Sequence, residues 1–166
     1  NPLYLSGKKK YWNKIILKIE PFIKNSKSVL DIGCGPSGIF LSLNDNVEKV
    51  GIDSLMDSYL KEFAFLNYLS VKWISAPFED YVFNQKFDAI FIFNALDHMK
   101  DPDKVIDKVK HILNRNGILI ISLNLHTVNL IQKIITALPF LDPLHPHQYT
   151  LPQIIAKLSN YGFRCV

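Results

Sequence analysis

The stretch FDAIFIFNAL, residues 87–96, carries no polar side chain between Ala89 and Phe93. A strand with one wet face alternates apolar and polar residues, so a near-continuous apolar run needs protein on both faces. That requirement puts a sheet between two helical layers and predicts strands and helices in alternation.

The rest of the chain supplies them in order. Tyr11–Lys24 shows a helical stripe of Trp12, Ile15, Ile16, Ile19 and Ile23, with Pro21 expected to bend or restart the helix. Ser28–Ile32 reads as a first strand and Ser37–Leu43 as the start of a helix. KVGID (Lys49–Asp53) is a second strand, and Ser54–Leu69 a helix with Ser54 as N-cap. VKWIS (Val71–Ser75) is a third strand, and the opening apolar run begins the fourth. Asp101–Leu113 is a helix opened by Asp101-Pro102, with Val105, Ile106, Val109, Ile112 and Leu113 facing inward. After an Asn116-Gly117 turn, ILIISL forms a fifth strand. Val128–Ala137 reads as a short helix, Leu138–Tyr149 as a proline-rich loop, and Leu151–Tyr161 as a last helix ended by Gly162. FRCV then begins a sixth strand. The implied class is α/β: a Rossmann-like, doubly wound, mostly parallel sheet with helices on both faces, in one domain of 166 residues. The first residue is Asn1, and Val166 falls inside strand-like sequence, which predicts trimmed ends and a sheet cut before its last strand.

Net charge is +4 and the isoelectric point near 9.0, too mild to mark a nucleic-acid surface unless clustered on one face. The dense basic run Lys8-Lys9-Lys10 reads as a solvated helix start rather than a phosphate-binding arm. Cys34 and Cys165 form neither a disulfide framework nor a CxxC site, which fits a reduced, cytoplasmic setting. No stretch approaches the roughly 20 apolar residues of a membrane span, so no membrane partner is expected.

Ligands of open parallel sheets bind at the carboxyl ends of the strands, so the chemistry should follow strands one to four. Gly33, Gly35 and Gly38 match G-x-G-x-x-G, a spacing that by itself suggests a dinucleotide. Asp31 argues otherwise. A dinucleotide places its pyrophosphate at this turn, against a helix N-terminus. A carboxylate about 5 Å away would repel each phosphate charge by about 3 kcal/mol at an effective dielectric of 20. S-adenosylmethionine carries an ammonium and a sulfonium and no phosphate, and Asp31 would attract it directly or through water. Asp53, ending strand two, is placed to accept from both hydroxyls of a ribose. That role supports a nucleoside ligand of either kind, and an acid opening the next helix is its plainer alternative.

Read together, VLDIGCGPSG, VGID, APFED, FDAIFIFNALDHMKDP and NGILIIS resemble the successive motifs of class I S-adenosylmethionine-dependent methyltransferases, most of all the small-molecule branch of ubiquinone and menaquinone biosynthesis. The resemblance covers about Ser28–Leu123. It implies a helical cap over 1–27, a cofactor-binding core over 28–123 and an acceptor-side region over 124–166. It implies that Asp31, Gly33, Cys34 and Gly35 cradle the methionine part of the cofactor. Asp53 then holds the ribose, Ser54 and Leu55 lie beside the adenine, Phe78 and Glu79 border it, and Asn94 lies near the sulfonium. One departure stands out: many relatives place an aspartate just ahead of Glu79, where this chain has Ala76 and Pro77. Adenine must then be read by backbone groups, by Glu79 or by Asp80.

Methyl transfer from a sulfonium needs positioning above all, with a base where the acceptor must lose a proton. His98, just after strand four, is the candidate catalytic residue; its alternative is a loop histidine capping the helix from Asp101. Asp97 orients it or faces solvent. His145 and His147 lie in a loop that could be incidental surface, touch the acceptor or hold a metal. Their i, i+2 spacing and the lack of a third strong ligand argue against metal, so no metal site is expected. Tyr4, Tyr11 and Trp12 could close over the sulfonium or simply pack into the core. The expected activity is methylation of a small-molecule acceptor. The alternatives are a non-catalytic module that binds S-adenosylmethionine and a nicotinamide-dependent oxidoreductase. NALD, in place of the Asn/Asp-Pro-Pro-aromatic signature after strand four, speaks against a nucleic-acid substrate.

Overall fold

A computed structural model describes residues 2–125 and 147–166. Five strands form one sheet: β1 (Ser28–Ile32), β2 (Glu48–Asp53), β3 (Lys72–Ser75), β4 (Phe87–Phe93) and β5 (Leu113–Ser122), in the order β3-β2-β1-β4-β5. All four pairings are parallel. The helices are α1 (Pro2–Ile23), α2 (Met56–Glu62), α3 (Pro102–Ile112) and α4 (Leu151–Asn160).

The period of two along each strand sorts the core into two faces. Leu30, Ile32, Val50, Ile52, Ile74, Ile90 and Ile92 point to one side, where Val105, Ile106, Val109 and Ile112 of α3 and Ile154 of α4 cover them. Val29, Ala89 and Phe91 point to the other, under Trp12 and Ile23 of α1. Beside them, Cys34, Phe40, Met56 and Leu66 make a third cluster against Trp73. Phe87 and Ala89 to Ile92 are fully buried, as the apolar run requires.

Several elements differ from their sequence-based expectations for identifiable reasons. Helix α1 begins at Pro2 and runs unbroken through Pro21. Its first turns are held by tertiary contacts: Tyr4 Oη lies 3.1 Å from Ser37 Oγ, and Trp12 Nε1 donates to Ser37 O at 2.7 Å. No α-helix follows the glycine turn. Two 3₁₀ turns, Gly35–Ser37 and Ile39–Leu41, replace it, because Asp31 Oδ2 draws in the N–H of Ile39. Ser54 is not the N-cap of α2. Asp53 Oδ1 takes the N–H of Leu55, and Ser75 Oγ on β3 takes that of Asp57. The Asn116-Gly117 turn is a bulge in β5, since Leu113 pairs with Phe87 but Ile118 already pairs with Ala89. Leu113 therefore belongs to β5 rather than to the inward stripe of α3. Residues 163–166 form no strand. The helix expected at Val128–Ala137 and most of the loop after it lie outside the described residues.

Helix α1 also concentrates the charge. It holds Lys8, Lys9, Lys10, Lys14 and Lys18 against Glu20, which equals the whole excess of +4; the other residues carry fourteen charges of each sign.

Candidate active site

The carboxyl ends of β1 to β4 open on a cavity of about 940 Å3. That lies within the roughly 300–1,000 Å3 of small-molecule sites. It gathers Gly33, Asp53, Ser54, Leu55, Phe78, Glu79, Asn94 and His98 from the sequence-derived set.

Gly33 follows β1, its N–H donating to Ile52 O at 2.8 Å, and turns at φ +65°. A Cβ there would lie 2.6 Å from Ala95 Cβ, so the turn after β1 and the segment after β4 touch where only glycine fits. Asp53 ties the turn from the other side. Its Oδ2 accepts from Gly35 N–H at 3.0 Å and its Oδ1 from Leu55 N–H at 2.9 Å. A carboxylate has about four acceptor sites, so two remain for ligand hydroxyls. Asn94 is the one non-glycine at positive φ (49°) among the described residues. Its N–H donates to Ser122 O at 2.8 Å, and its Oδ1 accepts from Ser122 Oγ at 3.2 Å. Asparagine tolerates this left-handed backbone better than most side chains.

Asp31, Cys34 and Gly35 do not line the cavity. Asp31 is turned beneath the glycine turn, 4% exposed, with Oδ2 against Gly38 and accepting from Ile39 N–H at 3.3 Å. Burial pushes its pKa up to about 8; the Ile39 bond opposes this and Asp53 adds to it. Gly38 is needed for room rather than for its backbone angle, since a Cβ would collide with that carboxyl and lie 2.8 Å from Cys34 O. Cys34 is buried in the third core cluster, and burial, then Asp31 and Asp53, raise its thiol well above the ordinary range. Any contact of Cys34 with a ligand is through its backbone.

Phe78 is likewise a core residue, 3% exposed and packed on Phe83 at 5.8 Å between ring centres. Glu79 Oε1 accepts from Lys100 N–H at 3.1 Å, and Asp80 Oδ1 lies 3.7 Å from Lys104 Nζ. The loop after β3 is thereby laced to the segment after β4. His98 closes a 3₁₀ turn (Leu96–His98), with its N–H donating to Ala95 O at 3.1 Å. Asp97 is buried rather than facing solvent. His147 donates its N–H to Asp97 O at 3.4 Å and stands outside the cavity lining; His145 lies outside the described residues.

Sequence reasoning missed Tyr59 and Met99, which also line the cavity. Tyr59 reaches it because α2 starts at Met56, two residues later than expected. Its hydroxyl titrates higher than usual, first through burial and then through Asp53. Adjacency to His98 was the available signal for Met99.

Charge decides what suits this cavity. Among the described residues, Asp53, Glu79, Asp80 and Asp101 face Lys100 and Lys104, with no arginine in the lining. The glycine turn also lacks the α-helix N-terminus on which a pyrophosphate would rest. The site fits a ligand that is cationic and free of phosphate.

The sequence profile of a family described as a methyltransferase domain matches residues 4–166. The chain belongs to that family. This methyltransferase domain is 32% identical over 106 residues to a ubiquinone biosynthesis O-methyltransferase of Glaesserella parasuis, a match covering 58% of this chain and 44% of that protein. It is 30% identical over 106 residues to a tRNA U34 carboxymethyltransferase of Campylobacter fetus, covering 60% and 37%. The chain thus spans less than half the length of these curated relatives. A putative methyltransferase of Bacillus halodurans superposes with a TM-score of 0.76 at 18% identity, over 91% of this chain and 68% of that one, which shows a shared fold. The family's cofactor is S-adenosylmethionine, and the acid-rich lining of the methyltransferase domain agrees with it. Among the described residues no helix is long and apolar enough to cross a membrane.

Proposed function

We propose that the protein transfers a methyl group from S-adenosylmethionine to a small-molecule acceptor. The observation that carries this reading is the excess of carboxylates around a cavity whose glycine turn offers no helix N-terminus. When bound, the cofactor supplies a methyl group already activated by its sulfonium, so the protein's task is placement.

Each residue's part follows from its position. Asp53 holds the ribose hydroxyls with its two free acceptor sites while it fixes the glycine turn. Gly33 and Ala95 bring the backbone close to the methionine part. Asp31 acts through the turn it braces and, above pH 8, through its charge, rather than by lining the cavity. Cys34 and Gly35 contribute backbone. Ser54 and Leu55 border the adenine. Asn94 shapes the wall near the reacting methyl, and His98 accepts a proton where the acceptor must lose one.

The test is calorimetric titration of S-adenosylhomocysteine, the demethylated product, into the protein. Saturable binding is expected, and Asp53→Ala should weaken it by about 1–3 kcal/mol for the loss of two hydrogen bonds. A folded sample that binds neither donor nor product would refute the proposal. The name of the tRNA-modifying relative makes RNA the second acceptor class to screen with labelled donor.

A further inference from the structure

Lys108 lies on α3, outside the cavity lining, yet its Nζ reaches the loop after β3. It donates to Phe78 O at 2.6 Å and to Glu79 O at 3.2 Å, and stands 4.9 Å from the centre of the Phe78 ring. Ahead of Glu79 this loop has no acid, only Ala76, Pro77 and Phe78. The side chains that could replace it are engaged elsewhere, Glu79 with Lys100 N–H and Asp80 beside Lys104. Backbone groups remain. In a trans peptide the carbonyl and the following N–H point opposite ways. With Phe78 O held toward Lys108, the N–H of Glu79 faces away from α3. That N–H donates to no group among the described residues.

We propose that Lys108 is a positioning residue for nucleobase selection: by gripping the carbonyls of Phe78 and Glu79, it aims the Glu79 N–H at a ring-nitrogen acceptor of the cofactor's purine. The inference rests on the proposed cofactor site and goes beyond it by naming what sets base preference. A fixed N–H donor accepts adenine, whose N1 is a bare acceptor. It rejects hypoxanthine, whose N1 carries a hydrogen, because two donors would then face each other in a desolvated site.

The experiment compares binding of S-adenosylhomocysteine and S-inosylhomocysteine to the unaltered protein, Lys108→Met and Lys108→Arg. The unaltered protein should prefer the adenosyl compound by about tenfold or more, the scale of one hydrogen bond plus one donor clash. Lys108→Met should lose most of that preference by weakening the adenosyl compound alone, and Lys108→Arg should restore part of it. Circular dichroism checks that the variants fold. Equal weakening of both ligands, or an unchanged preference in Lys108→Met, would overturn the role of Lys108 while leaving the cofactor site intact. If Lys108→Met does not fold, Lys108→Arg decides: a preference unaffected by the altered grip overturns the role, and a reduced one supports it. Absence of binding by the unaltered protein overturns the cofactor site and this inference together.

Discussion

At the scale of single residues, Asp31 is where stability and ligand binding pull apart. Its carboxyl is buried and its pKa lies near 8, against about 3.9 for a free aspartate. Between those values the folded protein keeps a proton that the unfolded chain has lost. The associated stability is fully present below about pH 4 and drains away as pH rises through 8, by at most about 1.4 kcal/mol per pH unit. Asp31→Asn keeps an acceptor for Ile39 N–H and removes the ionisation. The variant should therefore melt higher than the parent at pH 8, with the gap narrowing toward pH 4. Above pH 8, where the parent's carboxyl is ionised, the variant's affinity for S-adenosylmethionine should fall below the parent's, because the charge that answers the ammonium is gone; below pH 7 the two should bind alike. Thermal melts across pH, paired with titrations, read both effects; a variant less stable at pH 8, or one binding as tightly as the parent above pH 8, contradicts the assignment.

At the scale of elements, α1 acts as a brace on the glycine turn. Trp12 is 7% exposed, bonds Ser37 O and packs on Phe93 at 5.0 Å between ring centres. Trp12→Ala should cost about 3–5 kcal/mol of stability, the usual range for emptying a large aromatic site, as measured by denaturant unfolding. A loss below about 1 kcal/mol would show that α1 is a loose appendage. The apolar face of this helix was legible at Trp12 and Ile15, but its first two turns were not, because they depend on Ser37, remote in sequence. The same limit explains the other differences. The strands and α3 declare themselves by local period and by the Asp101-Pro102 start. The 3₁₀ turns after Gly33 arise from a carboxyl one strand-length earlier, and the start of α2 is set by Ser75 on a neighbouring strand. The cavity showed the same division. Motif positions named eight of the eighteen lining residues, whereas the burial of Asp31 and the core role of Phe78 came from packing that no spacing records.

At the scale of the whole molecule, the charge map separates one helix from everything else. Replacing Lys9, Lys10, Lys14 and Lys18 by glutamine removes the net excess without touching the cavity. Isoelectric focusing should then move from near 9.0 to close to neutrality, while affinity for S-adenosylhomocysteine stays within about twofold, since none of these side chains lines the cavity and salt screens exposed charges over about 8 Å. A larger loss of affinity would mean that α1 guides the ligand. An isoelectric point ordinarily summarises a surface; here it describes a single rod. On a cation-exchange resin these molecules should land in one orientation, rod down, and the four-glutamine variant should elute early while still able to hold its ligand.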